Sequence, residues 1–260
     1  MGFMHKFAYS FFDFAAYKQF LVQGLGKSIL YIFLVTLILS TITNINTINT
    51  FVSETTIIQT KFVQSAPSIE LKNGILSVAS DKPIYYKHDG EILIVDTSGQ
   101  TNKSVLDTYS NAIYINSSEL VLRQNYKTIE SFQFANFPEL NMTNQTIQYF
   151  LYISKIIIPV MISIFTPLIS FLLNLISGFL ILGPLCLNIG SLMGVKLKYS
   201  TACILSFYSM TLPLLLEALL DISGITSNEF IIIFYVIALI YCGLAINELK
   251  KKDKSNLNYM

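Results

Sequence analysis

The chain has 260 residues, of which 53% are hydrophobic and 13% are charged, and its mean hydropathy is +0.56. This composition is too apolar for an ordinary soluble domain and indicates membrane-spanning segments. The formal net charge of +1 provides no basic surface for nucleic acid, so we expect no such partner. Cys186, Cys203 and Cys242 lie in apolar runs without a CxxC pair, which favours buried thiols, no metal and no other cofactor.

Residues 1–27 place aromatic side chains at helical spacing. Phe3, Phe7, Phe11 and Phe14 recur every three or four residues, with polar residues between them. Two interpretations are open: an amphipathic helix lying in the membrane interface, or a helix that packs on the protein's own bundle. Both make residues 1–27 a cytoplasmic or interfacial segment.

Residues 28–48 are free of charge and long enough to cross the bilayer, whose core needs about 20 apolar residues of helix. They are preceded by a long tail and not followed by a small-x-small cleavage site, so we expect an uncleaved signal anchor. This segment is the first predicted transmembrane helix.

Residues 49–147 return to a polar composition with strand-like runs, and they predict one small, mostly β domain. Asn73-Gly74 between two apolar runs is a strong hairpin signal. The predicted strands are Ile69–Lys72, Ile75–Val78, Ile92–Val95, Ala112–Ile115, Leu120–Arg123 and Thr128–Phe134.

Residues 148–249 predict a transmembrane helical bundle, followed by a basic tail at 250–260. The apolar run from Tyr149 to Met193 contains several prolines and no polar loop. We expect it to cross once, as a long helix kinked at its prolines, with a part lying along or re-entering the inner leaflet. Two cleaner spans follow, at Tyr199 to about Leu220 and at Phe230 to Ile246.

Lysines near both termini and at Lys196 and Lys198 determine the predicted topology through the positive-inside rule. Four crossings place both termini and this loop in the cytoplasm, and they place residues 49–147 outside. The predicted fold is an α-helical integral protein of the cytoplasmic membrane with a small, mostly β extracytoplasmic insert.

The stretch ILIVDTSGQ, residues 92–100, is similar to the start of an aspartic-protease catalytic loop. Such an enzyme needs two carboxylates sharing one proton and a later glycine segment that braces the loop, yet no glycine follows Gly99 until Gly178. We therefore interpret Asp96, Thr97 and Gly99 as a strand ending in an Asx turn, with Gly99 at positive φ. On this interpretation Asp96→Asn is tolerated and Gly99→Val is damaging.

Polar residues inside predicted spans are candidate functional residues. Glu217 and Asp221 are four positions apart on one helix face, near the outer end of the third span and one turn after Pro213. Asn174 lies deeper in the second span, where hydrogen bonding between helices is the alternative explanation. Together, Asn174, Glu217 and Asp221 support the hypothesis of a small transporter.

Several segments resemble the bacterial membrane family known as domain of unknown function 1189, from low-GC Gram-positive bacteria (Firmicutes). They are FFDFAAYKQFLVQGLGKSILY at 11–31, the Asn73-Gly74 hairpin, Asp81-Lys82-Pro83, IVDTSG at 94–99, and LKYSTACILSFYSMTLPLLL at 197–216. The last segment is also similar to Yip-type membrane proteins. The resemblance implies a multi-span protein with an extracytoplasmic insert and no assigned activity. A maltodextrin-utilisation label on some relatives implies an accessory role beside a sugar-uptake system.

Our leading hypothesis is a non-enzymatic accessory, scaffold or sensor in the membrane, with no catalytic residues. Its expected partners are the lipid bilayer and a membrane transport complex or cell-envelope component, and its oligomeric state is left open. The transporter is the second hypothesis and a membrane-bound aspartic protease is the third.

Overall fold

The computed structural model describes residues 1–88, 91–126, 128–225 and 230–257. Its helices are α1 (Phe3–Phe12), α2 (Tyr17–Gln23), α3 (Leu25–Ser65), α4 (Asn144–Ile176), α5 (Gly183–Leu192), α6 (Tyr199–Ser209), α7 (Thr211–Ile222) and α8 (Phe230–Leu257). Its strands are β1 (Ile69–Lys72), β2 (Ile75–Val78), β3 (Ile84–His88), β4 (Glu91–Val95), β5 (Asn111–Ile115), β6 (Glu119–Gln124), β7 (Thr128–Gln133) and β8 (Met142–Thr143). Two compact units result: the helical unit, Met1–Thr50 with Ile158–Met260, and the strand unit, Phe51–Ile157.

Four helical stretches in the described part of the chain are long and apolar enough to cross a membrane, which matches the predicted number of crossings. They are Leu25–Ser65, Asn144–Leu192, Tyr199–Ile222 and Phe230–Lys251. In the most apolar window of Asn144–Leu192, only 6% of the residues are buried inside the protein. So large an exposed apolar surface is what a lipid-facing or partner-facing helix presents.

The N-terminal segment packs on the helical bundle, as one of the two interpretations left open by its sequence predicts. Tyr17 and Phe20 of α2 are fully buried against α6. The ring of Tyr208 lies between two others, with centroids 4.1 Å from Phe20 and 4.4 Å from Tyr31. Phe3, Phe7 and Phe14 also pack against this core, whereas Phe12 is 87% exposed. Aromatic stacking contributes to the core beyond simple burial.

The long apolar run that begins at Tyr149 is helical as far as Leu192. A π-helical turn, Ser177–Leu182, joins α4 to α5, whereas Pro159 and Pro167 lie within α4. A residue larger than glycine would not fit at Gly178, because its Cβ would lie 2.2 Å from the ring of the buried Phe207. The departure from α geometry thus occurs at this contact, whereas the helix assignment continues through both prolines.

Helix α3 extends well beyond the predicted span of 28–48, to Ser65. Residues 49–65 contain neither glycine nor proline, so nothing ends the helix before Pro67. Helix α4 likewise begins at Asn144 and not at 148. The predicted mostly β domain of 49–147 is therefore helical at both ends, and its strands lie between Ile69 and Thr143.

The third predicted span is divided where α6 meets α7. Met210 lies between the two helices, and Pro213 is buried in the first turn of α7. Proline is tolerated in a first turn because the N–H groups there have no partner within the helix. The last helix, α8, continues through Leu257, so most of the predicted tail is helical, and residues 258–260 lie outside the described residues.

The strand unit contains two sheets. The first has the order β2-β1-β8 with antiparallel pairs, and the second has the order β3-β4-β5-β6-β7, in which only the β4–β5 pair is parallel. The predicted hairpin is confirmed, with Lys72 paired to Ile75 and positive φ angles of 51° at Asn73 and 75° at Gly74. These angles belong to the type I′ turn that Asn-Gly favours.

The other four predicted strands are also present, whereas β3 and β8 were not predicted. Strand β3 could have been found from Asp89-Gly90, a hairpin dipeptide between two strand-like runs, which itself lies outside the described residues. One face of the larger sheet forms a small core with a 3₁₀ helix, Lys103–Thr108. That core contains Ile92, Ile94, Leu106, Ala112, Tyr114 and Val121.

Cys186, Cys203 and Cys242 are buried and free, as their apolar surroundings predicted. In the strand unit, Arg123 forms a salt bridge with Asp107 of the 3₁₀ helix. This ion pair links the segment between β4 and β5, which contains the 3₁₀ helix, to strand β6.

Candidate functional site

Asp96 lies in the loop that follows β4, and its carboxylate is surrounded by donors. Its Oδ1 accepts hydrogen bonds from the Ser98 amide at 2.9 Å, the Ser98 hydroxyl at 2.6 Å and the Gly99 amide at 3.1 Å. Its Oδ2 accepts from the Thr101 amide at 2.5 Å and the Thr101 hydroxyl at 2.6 Å. Gly99 has φ of 77°, so the loop is an Asx turn with glycine at the left-handed position.

The environment of Asp96 keeps this carboxyl ionised. The side chain is buried, with 2% of the residue exposed. Burial raises its pKa, but the hydrogen bonds from Ser98 and Thr101 outweigh burial and lower the pKa to about 2. A protease dyad instead needs a carboxylate that shares a proton with a second one. The geometry therefore suits a residue that organises its loop.

Thr97 connects this loop to the smaller sheet. Its hydroxyl oxygen accepts a hydrogen bond from the Val78 amide at 3.2 Å, and its hydroxyl lies 3.3 Å from the Val78 carbonyl. The Asp96 amide donates to the Ile115 carbonyl at 2.8 Å, beyond the last residue of β4. The Asp-Thr-Ser-Gly segment is thus a joint between the two sheets of the strand unit.

A second group of polar side chains lies in the helical unit, where the polar residues of the predicted spans come together. The buried Asn174 donates from Nδ2 to the Thr36 hydroxyl of α3 at 2.9 Å, which is the inter-helix hydrogen bond proposed as one alternative for this residue. The Ser177 hydroxyl lies 2.6 Å from the Tyr235 hydroxyl of α8. Glu217 and Asp221 project from α7 and are exposed at the protein surface.

Two neighbouring cavities meet at these residues. The larger, of about 520 Å³, lies among α4, the π turn, α7 and α8, and the smaller, of about 220 Å³, lies among α3, α4 and α7. Both are lined by Leu173, Asn174, Glu217 and Asp221. Asn174, Glu217 and Asp221, predicted as candidates from sequence, therefore form a common wall. Pro213 lines neither cavity; it lies one turn before Glu217.

The lining of both cavities is electrostatically one-sided. Among the described residues, it contains the carboxyl groups of Glu217 and Asp221 and no lysine, arginine or histidine. The larger cavity adds the rings of Phe230, Phe234 and Tyr235. In the described part of the chain, no group of three or more metal-ligating side chains could hold a metal ion. Carboxylates beside aromatic rings suit a cation that carries an apolar body.

Sequence reasoning missed the hydroxyl groups of this site. Thr36, Ser40 and Thr43 all line the smaller cavity, and their spacing of four and three residues places them on one face of α3. A hydroxyl stripe within an apolar helix was the available signal. Ser177 and Tyr235 gave no comparable pattern, because each is a single polar group in an apolar run.

Comparison with known proteins identifies a family for this chain. No curated protein matches it, and no solved structure matches it. The family described as "Protein of unknown function (DUF1189)" matches residues 4–246, a range that includes the Asp96 loop and every residue lining the two cavities. The chain therefore belongs to the protein family of unknown function DUF1189.

Proposed function

We propose that this chain is a non-enzymatic integral membrane protein that binds a small cationic solute in the paired cavities of its helical unit, as a sensor or a transporter does. The observation that carries the proposal is the wall common to both cavities, formed by Asn174, Glu217 and Asp221. A solute moving between the cavities would contact these three residues on either side.

The electrostatics of the wall support a cation. A carboxylate within a membrane-crossing segment is costly and marks solute or ion pathways more often than it serves packing. In the described part of the chain, neither Glu217 nor Asp221 forms a salt bridge, so both remain available to a ligand. Asn174 is instead held by Thr36 and can orient a ligand without moving.

The size and lining of the larger cavity favour an organic cation over a bare metal ion. Its volume of about 520 Å³ falls within the range of about 300–1,000 Å³ that small-molecule sites occupy. Phe230, Phe234 and Tyr235 present aromatic rings, which attract quaternary ammonium groups through their negatively polarised faces. Amines with an apolar substituent are therefore the expected solute class.

Thermal unfolding of the full-length protein in lipid nanodiscs tests the proposal. Tetramethylammonium chloride should raise the melting temperature above that measured in sodium chloride at equal ionic strength, because a ligand stabilises the state that binds it. The double variant Glu217→Gln, Asp221→Asn keeps the side-chain shapes and should lose most of this increase. Glu139→Gln, an exposed change in the strand unit, should behave like wild type. Equal responses of wild type and the double variant would refute cation binding here.

Uptake measurements separate the two forms of the proposal. A transporter reconstituted in liposomes should accumulate labelled tetramethylammonium along its gradient, and the double variant should not. A sensor should bind the cation in nanodiscs with the same dependence on Glu217 and Asp221 but show no uptake above that of empty liposomes.

A second candidate function, an accessory or scaffold protein, is favoured by the other face of the five-stranded sheet. Alternation and register place a set of apolar side chains opposite the small core, and none of them is fully buried: Ile84, Leu93, Val95, Ile113, Ile115, Leu120, Leu122 and Phe132. These residues are half-buried except Phe132, which is exposed, and a protein partner on this face would cover them further. A membrane transport complex, including one for sugar uptake, is our proposed class of partner.

Affinity purification from gently solubilised membranes tests this second function. Phe132 is 46% exposed on that face, and Ile75 is 64% exposed on the smaller sheet. A specific partner should be lost with Phe132→Ser and retained with Ile75→Ser. Recovery of the same proteins with both variants would contradict docking on this face.

A further inference from the structure

A third cavity of the helical unit lies where α1, the end of α2 and the start of α3 meet, apart from the paired cavities. Its volume is about 320 Å³. Its polar lining is Lys6, Gln23 and Lys27, and its apolar lining includes Leu30, Tyr31 and Leu34. Among the described residues that line it are two lysines and no acidic residue, the opposite charge to the cavities described above.

Lys6 is the unusual member of this lining. Only 7% of the residue is exposed, yet no carboxylate in the described part of the chain lies within salt-bridge distance of its ammonium. Its ammonium group lies 5.9 Å from the centre of the Tyr208 ring, a distance at which a cation–π attraction is weak. Burying an ammonium without a counter-ion is unfavourable. Burial, and to a lesser extent Lys27, lowers the pKa of Lys6.

We propose that this cavity binds a phosphate-bearing anion, held between the ammonium groups of Lys6 and Lys27. The anion would supply the counter-charge that Lys6 lacks, and the Gln23 amide can donate a further hydrogen bond. Lys27 also lies in the first turn of α3, where the positive end of the helix dipole favours an anion.

The apolar part of the lining points to a phospholipid headgroup as the source of the phosphate. Leu30 and Leu34 are one helical turn apart on α3, and 55% of Leu30 is exposed. An acyl chain can lie along these two leucines while its headgroup contacts the lysines at the end of the helix. A free phosphate compound would use the lysines but gain nothing from the leucines.

The full-length protein in nanodiscs provides the test, with Lys6→Gln and Lys27→Gln as the variants. Nanodiscs of phosphatidylcholine give the baseline melting temperature, and phosphatidylglycerol is then added at increasing fraction. Wild type should become more stable as the anionic lipid increases, and each variant should lose most of that response. Lys196→Gln, an exposed lysine outside the cavity, should retain it.

Lys6→Gln also provides a readout that distinguishes ligand binding from simple misfolding. In phosphatidylcholine the variant should melt at or above the wild-type temperature, because it removes an uncompensated buried charge. A stabilised variant that no longer responds to phosphatidylglycerol is the expected result. A variant that responds as strongly as wild type would overturn the proposal.

Inorganic phosphate added to phosphatidylcholine nanodiscs distinguishes the two sources of the anion. Stabilisation by phosphate alone, dependent on Lys6 and absent with phosphatidylglycerol, would assign the site to a soluble phosphate compound. If neither phosphate nor phosphatidylglycerol separates wild type from Lys6→Gln, the cavity binds no phosphate-bearing anion.

Discussion

Replacing Asp96 by asparagine tests whether this carboxylate holds its loop. Asparagine is the mildest change at this position because it keeps the size and one oxygen of the side chain. It can preserve the three hydrogen bonds that Oδ1 accepts from Ser98 and Gly99. Its NH₂ group then takes the place of Oδ2, where the Thr101 amide now donates over 2.5 Å.

The expected loss of stability follows from replacing Oδ2 by an NH₂ group. Two donors, the new NH₂ group and the Thr101 amide, would face each other, and the hydrogen bond between them would be lost. The Thr101 hydroxyl can rotate and accept from the new amide, so its bond is retained. Loss of one hydrogen bond to a charged acceptor costs about 1.5–3 kcal/mol. We therefore expect Asp96→Asn to destabilise the strand unit by about 1.5–3 kcal/mol.

This expectation differs from the ranking of the two variants that the sequence suggested. Gly99→Val introduces a β-branched residue at φ of 77°, which costs about 1–3 kcal/mol in backbone strain. Outside the two neighbouring residues, no atom lies within 4 Å of the position a Cβ would occupy, so the Cβ itself adds no clash. The two variants should be similarly destabilised, whereas the turn interpretation alone predicted that Asp96→Asn would be tolerated.

Pulse proteolysis of the full-length protein in nanodiscs, at increasing urea, measures the effect directly. Cleavage within residues 51–157 reports unfolding of the strand unit, and its midpoint should fall for both variants. Unchanged midpoints for Asp96→Asn would show that the bonds to Oδ2 contribute nothing. A variant as stable as wild type but unable to complement a deletion strain would instead make Asp96 a chemical residue.

Three further predictions use the same protein. Since the pKa of Asp96 is lowered, its contribution should be fully present above about pH 4 and lost as the pH falls towards 2. The urea midpoints of wild type and Asp96→Asn should therefore converge in acid, and a constant difference would contradict this. Gly178→Ala should lower the melting temperature by several degrees through collision with the aromatic ring beside it, whereas Gly26→Ala, with open space, should not. Cysteine at Lys103 should react with an impermeant thiol reagent on intact cells and cysteine at Ser255 should not; labelling at Ser255 would exclude four crossings.

Much of this architecture could be predicted because its signals are local. The Asn73-Gly74 turn, the strand runs and the four apolar stretches each depend on residues close in sequence. The end of α3 was misplaced because polar residues after 48 suggested a boundary, whereas helices end at glycine, proline or a cap. The cavities were beyond sequence reasoning for a different reason. Their polar groups come from α3, α4, α7 and α8, and only packing brings Thr36 next to Asn174.

The π turn between α4 and α5 has a consequence for how this family can vary in length. A π turn is an α-helix that has gained one residue without breaking, and each inserted residue rotates everything after it by about 100°. Ser177 lies within this turn, whereas Asn174 lies just before it. Deleting one residue from 177–182 would restore regular geometry while turning α5 away from its present neighbours. Relatives with a one-residue gap after Ser177 would therefore keep Asn174 and Ser177 in place on α4 but lose the present contacts of α5.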